Sequence, residues 1–138
     1  MPRLEELPIT SRDNQLLQIP VSFGDALDKL SIVEIKLEKI SDSNARENLD
    51  REKHEILKAV HAAGYQINEA DYGRLRETNL EIYHLMDAVF AEQEATLRYA
   101  ELSKLTVDLN VERAYIKREI NLKANSHLIE EKSYFRGD

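Results

Sequence analysis

Apolar residues return every three or four positions along most of the chain, the period of one face of an α-helix. The pattern is strongest over residues 22–40, where Phe23, Ala26, Leu27, Leu30, Val33, Leu37 and Ile40 form a stripe and Ile32 and Ile35 fall on its flank. An apolar arc this wide fits a helix packed between two partners, or one lying at an oligomer interface. Ser22, with Asp25 three places on, predicts a capping box. The serine oxygen accepts from the Asp25 amide and the carboxylate reaches back to the Ser22 amide. Pro20 favours an extended entry and rules against an earlier start.

A second stripe of Ala45, Leu49, Ile56, Leu57, Val60 and Ala63 predicts a helix over residues 43–63. The short polar link before it, residues 41–43, makes the first two helices antiparallel neighbours. Gly64 stands just past the helix end, where a positive φ is needed. After a connection over residues 65–71, a third helix begins near Asp71 or Tyr72, with Leu75, Ile82, Leu85, Met86, Val89 and Phe90 on its core face. Leu102, Leu105, Leu109, Ile116 and Ile120 mark a fourth, over residues 97–125. A turn near Glu94 separates the last two. One bent helix is the competing reading, because neither Gly nor Pro marks the break.

Residues 1–21 read as an arm broken by prolines and extended over 18–21. Residues 126–138 read as a tail whose Leu128, Ile129, Tyr134 and Phe135 need a docking surface. There is no repeat, low-complexity tract or hairpin signal. The expected fold is therefore all-α: one domain, an antiparallel bundle of about four helices over residues 22–125, flanked by the arm and the tail.

The 138 residues suit one domain with a real core. With 42% hydrophobic and 33% charged residues the chain is unlike a disordered one, and no apolar run is long enough to span a bilayer. Residues 1–10 lack the basic-then-apolar order of a secretory signal. The absence of cysteine excludes disulfides, thiolate catalysis and thiolate metal sites, and favours a cytoplasmic setting. A net charge of −7 disfavours broad contact with nucleic acid or anionic lipid. The charge is uneven. Residues 71–94 hold six acids and two bases, and residues 110–125 four bases and two acids, so the third and fourth helices attract if adjacent.

Polar residues that interrupt the stripes are the candidates for chemistry. Glu34, Glu52, Lys53, Glu112 and Arg113 converge in an interior ionic cluster if all stripes face one interior. Ion pairs that fix helix register are the bland explanation. Lys29, Lys36, Arg113, Lys117 and Arg118 form a cationic set suited to a phosphate or carboxylate, or else a solvated face balanced by the acidic third helix. His54 and His61 stand seven apart, not the four that aims two imidazoles at one zinc ion. Glu52 and Glu55 form an ExxE pair, as in helical nucleotide pyrophosphatases that hold magnesium, but the downstream ExxD is missing. His84 and His127 are isolated. No phosphate loop, nucleophile elbow or basic-aromatic stripe is present.

Two segments, IPVSFGDALDKLSIVEIKLEKISD (residues 19–42) and IKREINLKANSHLIEEKSY (residues 116–134), resemble an uncharacterised bacterial family of similar length. That family is known as a domain of unknown function. The shared words are a PVS-x-G-acid-x-x-DKLSI-x-EIK opening and a KREIN…EEKSY close. The resemblance implies a whole-chain relationship and brings no activity or catalytic residues. Its polar words fall on Asp28, Lys29, Glu34 and Lys36, then on Lys117, Arg118, Asn121, Glu130, Glu131 and Lys132. Either the tail folds back on the first helix, pairing Glu130 or Glu131 with Lys29 or Lys36, or both segments wall a small polar pocket.

The expected function is non-enzymatic: a helical protein that associates with itself, a dimer being favoured, or with another protein. The alternative is a binder or enzyme with a cationic, helix-lined pocket for a phosphate- or carboxylate-bearing ligand. Helical mutases such as chorismate mutase work this way, but the first helix here lacks their substrate-gripping arginines. No cofactor, metal, nucleic-acid or membrane partner is expected.

Overall fold

The structure is a computed structural model that describes residues 15–92 and 96–137. Four helices pack against one another around a shared core, and the fold is all-α. Helix α1, Phe23–Lys39, starts where expected. Ser22 is extended, and its hydroxyl accepts from the Asp25 N–H at 3.1 Å. The other half of the expected box differs: the Asp25 carboxylate meets Lys117 at 2.6 Å instead.

Helix α2 covers Ser43–Ala62, with the Asp42 carboxylate accepting from the Ala45 N–H at 2.9 Å. Arg46 in its first turn donates to the Leu37 and Ile40 carbonyls, two of the acceptors that the end of α1 leaves open. The α2 helix stops before Gly64, whose φ is +82°. Helix α3, Glu69–Ala91, begins two residues earlier than its apolar pattern, because Asn68 caps it by accepting from the Asp71 N–H at 3.1 Å. Helix α4 covers Leu97–Lys123. The turn expected near Glu94 lies outside the described residues, and the break between α3 and α4 carries no Gly or Pro. Glu92 and Thr96 are both extended, and the Thr96 hydroxyl caps α4 by accepting from the Tyr99 N–H at 3.0 Å. A short 3₁₀ turn, Ser133–Phe135, lies in the tail.

The core joins Phe23, Leu27 and Leu30 of α1 to Val60, Leu75, Ile116 and Ile120, at least one side chain from each other helix. Burying each is worth about 1.5–3 kcal/mol. Ile35, expected on a flank, is 1% exposed. The reason is that α1 packs on α2 as well as on α3 and α4, so its wide arc is consumed inside one chain. Acid–base pairing joins the long hairpin of α3 and α4. Asp71 meets Lys123 at 3.3 Å, Arg74 meets Glu119 at 2.8 Å, and Asn79 accepts from Arg113 at 3.2 Å. The falling numbers along α4 make the two helices antiparallel.

The core pattern fails in part at one end of this hairpin, where Leu102 is buried as expected but its neighbours are not. Met86, Phe90 and Leu105 continue the stripes and were expected inside, yet they are 37%, 77% and 49% exposed. Polar ties from α1 to α3 fall between Tyr72 and Asn79, and those to α4 on Lys117 and Asn121. The hairpin outruns the helix that would cover it. Ala63 is also exposed, being past the end of α2. Among the described residues no helix is long and apolar enough to cross a membrane.

Candidate functional site

Three polar constellations and one apolar surface are the features from which a function can be built. The first constellation lies where α1 begins. A helix start leaves four N–H groups without intrahelical partners, which is why such ends attract anions. Here three of them are occupied: Phe23 donates to Ser126 Oγ at 3.0 Å, Gly24 to Asn121 Oδ1 at 2.6 Å, and Asp25 to Ser22 Oγ, before Ala26 makes the first intrahelical bond, to the Ser22 carbonyl at 3.1 Å. Gly24 permits this closeness, because a Cβ there would stand 2.7 Å from the Lys117 carbonyl oxygen.

One turn along, Lys117 gathers Asp25, Asp28 and Glu130 at 2.6, 3.5 and 3.6 Å. Burial alone would lower the pKa of its ammonium. The Asp25 bond and the surrounding carboxylates outweigh that and raise it above the usual lysine range. Glu130 is held below the usual glutamate value, first by Lys132 at 2.8 Å, with Lys117 also lowering it. Beside it Arg118 pairs with Glu131 at 3.0 Å and sits 4.9 Å from the Phe135 ring, which in turn meets Tyr115 edge-on at 4.8 Å. The tail therefore docks on α4 through its acids, Tyr134 and Phe135, whereas Leu128 and Ile129, also expected to dock, stay exposed.

The second constellation continues inward. Asn79 donates to Asp28 at 2.7 Å and to Ser31 Oγ at 2.8 Å, and it accepts from Arg113, which also donates to Asn110 at 2.7 Å. The third is separate: Tyr72 donates to Glu34, Lys53 stands 3.6 Å from the same carboxylate, and Arg76 pairs with Glu38. Burial, and then the bond to Glu34, push the Tyr72 phenol well above its ordinary value.

The cationic set expected from the sequence is not brought together. Lys117 and Arg118 hold carboxylates of their own chain, Arg113 binds amides, and Lys29 and Lys36 stay exposed on α1 without an ion pair among the described residues. The tail acids accordingly pair with Lys117 and Arg118, not with Lys29 or Lys36 as expected. The ionic cluster also divides. Glu34 and Lys53 meet, Arg113 belongs to the Asn79 network, and Glu52 and Glu112 face solvent because their turns point away from the core.

Asn79, Ser31, Asn121 and Ser126 are buried, and of these only Asn121 was singled out in the sequence, through the resemblance. The available signal was an amide in an apolar register, since Asn79 lies four after Leu75 and three before Ile82. A cavity of about 150 Å³ lies among Phe23, Leu27, Ile120, Asp71 and Lys123. Its charged groups already serve the hairpin. No buried side-chain N or O among the described residues lacks a partner, and no three His, Asp or Glu gather in a group able to hold a metal.

Large apolar side chains are exposed on several surfaces, including Val107 and Leu122 on α4 and Leu128 and Ile129 in the tail. Met86, Phe90, Leu97 and Leu105 stand exposed at the distal end of the hairpin formed by α3 and α4. Leu16, Leu17, Ile19 and Val21 stand exposed in the non-helical stretch before α1, Leu17 at 87%. The chain matches no protein-family model, no curated protein and no solved structure with which it was compared.

Proposed function

We propose that this is a non-enzymatic helical protein that acts by associating with a second copy of itself through the distal end of the hairpin formed by α3 and α4. The supporting observation is the continuation of both core stripes past the cover of α1, onto Met86, Phe90 and Leu105. Scattered exposed apolar residues are ordinary, but Met86 and Phe90 lie four and eight places after buried Ile82 on α3, so a core face runs on into an exposed one, as at an interaction surface. The polar constellations support the same reading from the other side: their groups bind one another and leave no cation cluster open to a ligand. A cationic pocket for an anionic ligand has correspondingly less support.

Sedimentation velocity across a wide concentration range tests the reading. Wild type should pass from monomer to dimer. Phe90→Glu should weaken association by about tenfold or more, as loss of a central aromatic anchor does. Its helical content should be unchanged, because Phe90 is wet in the monomer. A wild-type chain that stays monomeric at the highest concentration would refute the proposal.

A further inference from the structure

A cavity of about 150 Å³ lies where the starts of α1 and α3 meet the end of α4. Its floor is core: Phe23, Leu27 and Ile120 are buried, and Ala124 packs against them. Its mouth is polar, because Gln66, Asn68 and Lys123 are exposed there. A space of this size holds an apolar group about as large as a benzene ring. One group in its wall is charged and yet buried, the Asp71 carboxylate, whose side chain is 9% exposed. Burial takes away the water that would hold that charge, so close donors must replace it. Asp71 has only distant ones. Lys123 Nζ stands 3.3 Å from each oxygen, and Arg74 stands 3.8 Å from one. A close charge-assisted bond measures about 2.7–2.9 Å. Both cations are also more than half exposed, and both are shared with Glu119, at 3.4 and 2.8 Å.

We propose that this cavity binds a small organic ammonium, a primary amine carrying an apolar body of ring size. The body lies on the floor formed by Phe23, Leu27, Ile120 and Ala124. The ammonium takes the place of Lys123 on Asp71 at a closer distance. Lys123 moves into water and keeps Glu119, so no charge is left buried and unpaired. The acceptor is therefore the fixed group of the site, and the resident cation is the one that can leave. An anionic head group meets the opposite situation. It would lie against the buried Asp71 carboxylate, and Lys123 is already held by two carboxylates. The cavity sits at the start of α3 and Phe90 near its end, so this inference does not depend on the self-association proposed above.

Titration of the full chain with benzylamine at neutral pH, followed by the NMR signals of its methyl groups, tests the proposal. Benzyl alcohol and benzoate carry the same ring with a neutral and an anionic head, and serve as controls. Benzylamine should shift the methyls of Leu27 and Ile120 saturably. It should bind about tenfold or more tighter than either control, the effect of one charge-assisted hydrogen bond. Asp71→Asn should erase that preference. Because Asp71 also ties α3 to α4, a second variant keeps the test independent of the fold's tolerance. Lys123→Gln removes the competing cation and should tighten benzylamine several-fold, a direction that damage to the cavity does not produce. Benzyl alcohol binding as tightly as benzylamine would overturn the proposal and leave a plain apolar cavity. Tighter binding of benzoate would overturn it in favour of an anion on Lys123. Weaker binding of benzylamine by Lys123→Gln, or no saturable shift with any of the three probes, would overturn it outright.

Discussion

Two glycines in helices have opposite prospects on gaining a methyl group. At Gly24 a Cβ would meet the Lys117 carbonyl at 2.7 Å and Asn121 Oδ1 at 3.0 Å. The first of these is backbone and cannot rotate away, so α1 and α4 would have to separate. Gly24→Ala should therefore destabilise by about 1–3 kcal/mol, the usual cost of overpacking. At Gly73, near the start of α3, nothing lies within 4 Å of a new Cβ. Gly73→Ala should stabilise by about 0.5–1 kcal/mol through helix propensity and the stiffer unfolded chain. Urea unfolding of the two variants checks both signs. Equal effects would mean that the closeness of α1 to α4 is not what Gly24 provides. The sequence displayed Gly24 only as a letter inside a helix start and in the shared opening word of the resemblance. Its reason lies 97 residues away in Asn121, a separation that no local spacing encodes.

Elements were more legible than their partners. Ser22 announces α1, and Thr96 does the same for α4 once its hydroxyl is read as a cap, because capping is a local chemistry of three or four residues. The tail was legible only as something that must dock. Its attachment to α4 depends on Lys117 and Arg118 facing Glu130 and Glu131 across a turn at Asn125, whose φ is +51°. That attachment should respond to pH in a stated direction. Glu130 has a lowered value in the fold, so its contribution is present above the ordinary glutamate value of 4.5 and is lost as pH falls through the lowered one. Lys117 has a raised value, so its contribution is present below the ordinary 10.5 and is lost as pH rises through the raised one. Between those limits the tail should stay docked. On acidification through the lowered Glu130 value the ring signals of Tyr134 and Phe135 should move to random-coil positions while the methyls of Leu27 and Leu75 hold theirs. Ring signals that stay unmoved after the Glu130 carboxyl itself has titrated would place the attachment in the aromatic contacts with Tyr115, not in the ion pairs.

At the scale of the molecule, the all-α class followed from periodicity, but the inside and outside of the third and fourth stripes did not. Periodicity marks which face of a helix is apolar. It does not say how far the covering helix extends, and α1 has 17 residues against 23 and 27 in α3 and α4. The surplus length of the hairpin is what leaves Phe90 wet. If a second copy covers it, folding and association are linked, and the melting temperature of the wild type must rise with protein concentration. At about 100 times the dissociation constant the gain is about 2.7 kcal/mol, enough to raise the melting temperature of a chain of this length by on the order of 10 °C. Phe90→Glu should melt at the same temperature as the wild type when both are dilute, because the side chain touches little in the monomer. It should then show no rise on concentration. Calorimetry at two concentrations separates the possibilities. A wild type and a variant that climb together would show that the association uses some other surface, and a wild type that does not climb would show that the long hairpin has no partner of its own kind.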